Sequence, residues 1–442
     1  FRFLKQQLSG TPWLMPHIAR IRVLSDVHVE NIKLPIHESA IAFHDTRLAL
    51  PDRLNFGPNQ LNPCGEFIRQ EIRIRSLLVF NLHSHRSKVQ HQRHWDTYLY
   101  PMDLDATERT AIRSLPKVEL HCHLELALRQ RTLREMAESQ GFDILSEQAF
   151  SDAFLIQKPM GALPDVLHKF LNTRDVINSE AWMERIAFEV CEDMYVHSNV
   201  RILELRYAPS FLLDKHPHMR ADRLQEAIHR GVAKAEATYP IAVGLICILQ
   251  RTKSVAENAS WVDFALDHRN GFVALDLADN EVDFDPEPFI PLFQRAKKGG
   301  LGITIHAGEP LIPGISQNIR TAVEDMGADR IGHGLQAIQD PEVVRLLIDQ
   351  KIPLEMCITS NWLTGATPSM ALHPFRKLLE SGVIVTINTD DPGIMCTDLQ
   401  REHELVAEHQ FINQEQLIQC NQWSKEFSFI DERKKNAVWT TL

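Results

Sequence analysis

The chain has 442 residues, 44% hydrophobic and 24% charged, which fits a soluble globular protein with room for one large domain or two ordinary ones. A net charge of −11 argues against nucleic-acid binding, which needs clustered Lys and Arg, and favours a small neutral or weakly charged partner. Seven scattered cysteines (Cys64, Cys122, Cys191, Cys247, Cys357, Cys396 and Cys420) form no CxxC pair, and no run approaches the roughly 18 apolar residues of a membrane span, so a reduced, cytoplasmic setting without a membrane partner is expected.

Residues 1–101 carry 13 Lys/Arg against 8 Asp/Glu, a net +5, whereas the rest of the chain stands at −16. The segment also holds 8 of the 21 histidines and shows no sustained periodicity over most of its length. It reads as an N-terminal extension, disordered or an upstream translation artefact, with Met102 as the expected initiator and 102–442 as the domain proper. Two motifs inside it are decoys. Ser25–His28 has the DxH pattern of a two-metal phosphoesterase site but no GD or GNH follows, and His83–His85 lacks partner carboxylates.

From Lys117 onward, apolar runs alternate with longer helical stretches, the signature of parallel βαβ units. The expected strands are Val118–His123, Ile202–Tyr207, Ile241–Leu249, Phe272–Leu277, Gly302–His306, Arg330–His333, Ile352–Cys357 and Val383–Asn388. Eight strands separated by helices, with no GxGxxG after the first, predict an α/β fold, a (β/α)8 TIM barrel rather than an open doubly wound sheet. The long interval Leu124–Val200 predicts a helical insertion that caps the barrel mouth.

The polar clusters fall at the ends of these strands, where barrel active sites form. In VELHCHLE the i, i+2 spacing sends His121 and His123 to one side of the strand and Cys122 to the other. ITIHAGEP puts His306 at the rim of strand five, with Glu309 three residues on, across a tight turn at Gly308. RIGHG places His333 between two glycines, which leaves space for a ligand to approach. TINTDDP ends strand eight in adjacent carboxylates, Asp390 and Asp391, whose repulsion a cation or proton relieves. Three imidazoles and one carboxylate (His121, His123, His306 and Asp390) suit zinc with a position left for water. His333 and Asp391 then orient and deprotonate that water, and Glu309 delivers a proton to the substrate. Ser360-Asn361 after strand seven fits a ligand contact or a helix N-cap. The HxE…PCxxC signature of the base-flipping zinc deaminases is absent.

Taken together, LPKVELHCHLE, ELRYAP, DLADNE, HAGE, RIGHG, LTGA and NTDDP make the region from about Leu115 to the C-terminus resemble the adenosine deaminase family of the amidohydrolase superfamily. The resemblance implies one zinc per chain on His121, His123, His306 and Asp390, and a small purine nucleoside or base as partner. It also implies that Glu309 protonates purine N1, that His333 and Asp391 act on the water, and that hydroxide adds at C6 before ammonia leaves. Two substrate-contacting positions depart from the family pattern. Glu125-Leu126 stands where Asp-Gly is usual, and Asp279 replaces a glycine whose amide faces the purine. Glu125 is similar to the adenine deaminase branch. Arg206-Tyr207-x-Pro209, Gly332, Leu363–Ala366 and Thr389 are similar to the adenosine branch. The expected reaction is adenosine and deoxyadenosine to inosine and deoxyinosine. Adenine or another aminopurine is the alternative substrate, and a non-catalytic purine-binding barrel is the remote one.

Overall fold

Eight apolar segments form eight parallel strands: β1 (Lys117–His123), β2 (Val200–Tyr207), β3 (Ala242–Gln250), β4 (Phe272–Ala278), β5 (Gly302–Ala307), β6 (Arg330–His333), β7 (Leu354–Met356) and β8 (Val385–Ile387). The computed structural model describes residues 101–439 except 143, 145, 161–162 and 270. The extension expected over 1–101, with Ser25–His28 and His83–His85, lies outside the described residues apart from Pro101.

The strands pair in chain order, each parallel to the next. At the β8–β1 seam Cys122 bridges Asp390: His123 N–H donates to Asp390 O and Asp390 N–H donates to His121 O, both at 2.8 Å. Elsewhere on the seam, side chains replace the backbone ladder. Asn388 Oδ1 accepts the Leu120 N–H at 3.1 Å, and the Glu119 carboxylate accepts the Thr389 N–H at 3.0 Å. The result is a (β/α)8 barrel. β7 and β8 are shorter than expected because the Ile352 and Val383 N–H groups are spent on Leu347 O (2.9 Å) and Leu378 O (3.1 Å) of the preceding helices. Pro353 has no N–H to offer.

β1 does not follow simple alternation. Between Glu119 and Cys122 it carries one residue more than β2 opposite it, a β-bulge. Leu120 therefore packs with Val118, Ile202, Ala242 and Ile430 at the floor of the barrel, while the next residue, His121, is free to join His123 at the other end. Between floor and rim lies a layer of buried charge. Arg206 pairs with Asp276 and Glu355, both at 2.8 Å, and Arg330 pairs with Glu355 at 2.6 Å and Glu204 at 2.7 Å. All five side chains are fully buried, so each charge depends on the others.

Helix α1 (Ala106–Ser114) starts with a reciprocal Asp105/Glu108 capping box. The interval between β1 and β2 holds α2 (Gln130–Ser139), α3 (Glu147–Phe154), α4 (Leu163–Val176) and α5 (Glu180–Ser198). The chain between α3 and α4 ties this insertion to the barrel mouth: Ile156 N–H donates to Ile394 O at 2.7 Å and Met160 N–H to Leu363 O at 3.2 Å, beyond β8 and β7. α5 is a barrel-layer helix rather than part of the cap. It packs on Ala221–Thr238, where a side chain at Gly231 would lie 2.9 Å from Ala187 Cβ. No helix among the described residues is long and apolar enough to cross a membrane.

Candidate active site

At the C-terminal rim the proposed ligands converge. The ligand atoms of His121, His123, His306 and Asp390 all lie within 4.8 Å of one another. Asp390 Oδ1 is 3.2 Å from both His121 Nε2 and His123 Nε2, and His123 Nε2 is 3.3 Å from His306 Nε2. The opposite faces of two of the rings are held by carboxylates: His121 Nδ1 by Glu355 at 2.8 Å and His306 Nδ1 by Asp276 at 3.0 Å. A carboxylate on Nδ1 fixes the Nδ1–H tautomer and leaves the Nε2 lone pair facing the cluster, the usual outer support of a metal-binding histidine. His121 Nε2 is buried without a hydrogen-bond partner. A divalent cation at the centre would satisfy that orphan, so these residues fit a metal. Cys357 lies near enough to form an overlapping group with His121, His333 and Asp390. Burial pushes its thiol well above the usual range.

The electrostatics support this arrangement. Burial drives the His306 pKa down to about 3, leaving a neutral imidazole able to ligate. Burial also opposes ionisation of Asp390, but His121 and His123 outweigh it and hold the carboxyl well below its ordinary value. Its neighbour Asp391 goes the other way, raised by burial and then by the Asp390 charge. Asp391 is thus the stronger base of the pair. Glu309 is raised to about 7 by burial and then by Asp390, which suits a proton donor near neutrality. Three non-glycine residues of the site take left-handed backbone, Asp279 (φ 82°), His333 (φ 60°) and Asp390 (φ 69°), a strain of about 1–3 kcal/mol each that the surroundings enforce.

The structure brings Glu309, His333 and Asp390 together: His333 Nε2 lies 3.7 Å from Glu309 Oε2 and 3.9 Å from Asp390 Oδ2. Asp391 is buried beside them, with Oδ1 unpartnered. Glu125 is also buried. One of its oxygens accepts the Ala208 N–H at 3.0 Å and the other has no partner. The Asp279 side chain is held by Gln250 Nε2 at 3.1 Å and by Thr252 Oγ1, both from the end of β3 and the turn after it. One reading is corrected. The glycines flanking His333 do not leave space for a ligand: a Cβ at Gly332 would lie 3.0 Å from the His121 ring, and one at Gly334 would lie 2.5 Å from Leu354.

Three acids of the site escaped sequence reasoning. Besides Glu355 and Asp276, Glu281 accepts the Gly308 N–H (2.7 Å), the Glu309 N–H (3.1 Å) and Asn318 Nδ2 (2.9 Å), and so shapes the turn that carries Glu309. Ser360 and Asn361 are not N-caps of the helix Ile358–Leu363. Ser360 Oγ donates to Asp390 Oδ2 at 2.6 Å and Asn361 Nδ2 to His333 Nδ1 at 3.0 Å. The available signal was a single acid inside an apolar strand, Asp276 in FVALDLA and Glu355 in LEM.

Comparison with known proteins shows the family and agrees with the fold. Residues 116–442 match the family model described as adenosine deaminase. Adenosine deaminase of Plasmodium falciparum is 32% identical over 340 residues, 76% of this chain and 91% of that protein. A zinc-bound amidohydrolase from Burkholderia ambifaria superposes with a TM-score of 0.69 at 26% identity, covering 77% of this chain and 94% of that one. The N6-methyl-AMP deaminase of Arabidopsis thaliana gives a TM-score of 0.65 at 27% identity, over 75% and 96%. The chain therefore belongs to the adenosine deaminase family and is a hydrolytic deaminase.

Proposed function

We propose that the protein is a zinc-dependent deaminase that converts adenosine and deoxyadenosine to inosine and deoxyinosine with release of ammonia. The observation that carries this reading is the convergence of His121, His123, His306 and Asp390, with Glu309 and Asp391 beside them. One zinc on those four residues would supply Lewis acidity that lowers the pKa of water by several units. The chain's own groups do the rest. Glu309, protonated near neutral pH, donates to the ring nitrogen next to the amino-bearing carbon, which makes that carbon electrophilic. Asp391 accepts the proton of the attacking water and His333 orients it. Asp391 passes that proton to the exocyclic amine, the C–N bond breaks and ammonia leaves, and the new hydroxyl returns its proton to Glu309 as the carbonyl forms. The unpartnered Glu125 oxygen offers an acceptor for a sugar hydroxyl or a ring N–H. The likeness to N6-methyl-AMP deaminase supports a second reading, in which the substrate is a nucleoside monophosphate.

Ammonia release from adenosine, deoxyadenosine, adenine, AMP and N6-methyl-AMP, measured in parallel with zinc content, tests the proposal. Adenosine is expected to lead, with one zinc per chain and activity lost to a chelator. A tenfold preference for adenine or for a monophosphate, about 1.4 kcal/mol in transition-state binding, overturns the substrate. Because the family match begins at residue 116, we further propose that residues 1–101 are dispensable for turnover.

A further inference from the structure

Asn361, in the helix that follows β7, belongs to a chain of hydrogen bonds whose direction can be read from end to end. The Phe375 N–H donates to His373 Nδ1 at 3.2 Å, so that nitrogen is the acceptor and the proton of the neutral ring sits on Nε2. His373 Nε2 in turn donates to Asn361 Oδ1 at 3.1 Å, and the Cys357 N–H reaches the same oxygen at 3.4 Å. With Oδ1 engaged by two donors, the amide cannot flip. Its Nδ2 therefore faces the active site, donating to His333 Nδ1 at 3.0 Å and to Glu309 Oε1 at 3.5 Å. Asn361 is fully buried and His373 nearly so, which makes an unmatched donor or acceptor at any link costly. Burial also keeps the His373 imidazole neutral.

We infer that Asn361, backed by His373, is a positioning residue that fixes the tautomer of His333, so that His333 presents an Nε2–H towards the reacting water. A ring accepting at Nδ1 has its single proton on Nε2, the atom nearest Glu309 Oε2 and Asp390 Oδ2. His333 then holds the water as a hydrogen-bond donor, and proton acceptance falls to Asp391. The same amide steadies Glu309, so one buried side chain orients two groups of the reaction. The inference rests on the role given to His333 above.

The test is Asn361→Asp in the full-length zinc-loaded protein. A carboxylate of the same shape accepts only, so His333 is expected to switch to the Nδ1–H form, visible in long-range 1H–15N spectra of 15N-histidine-labelled protein. On the substrate that leads the ammonia panel, kcat is expected to fall about 10²-fold, with KM changed less than threefold and zinc content unchanged. His373→Phe, which frees the amide to rotate, is expected to cost about tenfold in kcat, and His373→Gln, which restores a donor, to recover most of that loss. An unchanged His333 tautomer in Asn361→Asp, or kcat within twofold of wild type, overturns the inference. Near-normal turnover in His333→Ala alongside the tautomer switch would instead overturn the role assigned to His333.

Discussion

Glu309 shows how one side chain acquires a role from its surroundings. A carboxyl in water is ionised at neutral pH and has no proton to give. Here burial and the neighbouring Asp390 raise it to about 7, while Thr364 Oγ1 donates to Oε1 at 3.2 Å and holds its direction. Glu309→Gln keeps the shape and the hydrogen bonds but carries no transferable proton. The expected outcome is a loss of about 10²-fold or more in kcat with zinc still bound, measured by steady-state kinetics and metal analysis on the same sample. Turnover near wild type would remove Glu309 from the donor role.

At the level of elements, the loops of the rim are held by acids from other strands and helices. Glu281, just beyond β4, gathers two backbone N–H groups of the β5 loop and the side-chain amide of Asn318 in the helix Ser316–Glu324 that follows it. Glu281→Ala leaves three donors without their acceptor, at about 1–3 kcal/mol for each that stays buried. A lowered melting temperature and a drop in kcat of at least about tenfold are expected, with zinc content preserved. Glu402 plays a comparable part between helices: it accepts the Thr359 N–H at 3.1 Å and Thr397 Oγ1 at 2.7 Å. Burial raises its pKa to about 7 from an ordinary value of 4.5. Between those values the folded protein binds a proton that the unfolded chain has lost, so this group's contribution to stability declines as pH rises from about 4.5 through 7. Glu402→Gln removes that dependence. The stability difference between variant and wild type should therefore shift in favour of the variant over this pH range, as read by chemical denaturation at each pH.

For the whole barrel, the decisive feature is the buried charge layer beneath the proposed metal site. Glu355 alone meets Arg206, Arg330, His121 and Thr304. Two of these are buried guanidiniums, and removing one member of a buried ion pair costs about 3–5 kcal/mol because the other is left uncompensated. Glu355→Ala is expected to destabilise the fold by that amount in denaturant titration. Glu355→Gln should fold better yet bind zinc about 10–100-fold more weakly in a chelator competition, since the outer support of His121 is lost. Equal zinc affinity in Glu355→Gln would show that the His121–Glu355 contact serves packing alone.

The sequence by itself determined the eight-strand order, the barrel and the rim clusters, because parallel strands buried on both faces read as apolar runs and polar groups at their ends stand out against them. His121, His123, His306, Glu309, His333, Asp390 and Asp391 were legible for that reason. The tertiary structure alone decided which groups support them. Glu355 and Asp276 are single acids in apolar strands, and only the closed barrel sets them behind His121 and His306. Asn361 and Glu281 act through contacts 28 and 27 residues away in sequence, beyond any local pattern. The β1 bulge was hidden too, since VELHCH carries the same residues with or without an extra one in the ladder. Alternation along a strand is a local property, whereas register and buried-charge pairing exist only between strands that the fold has already brought together.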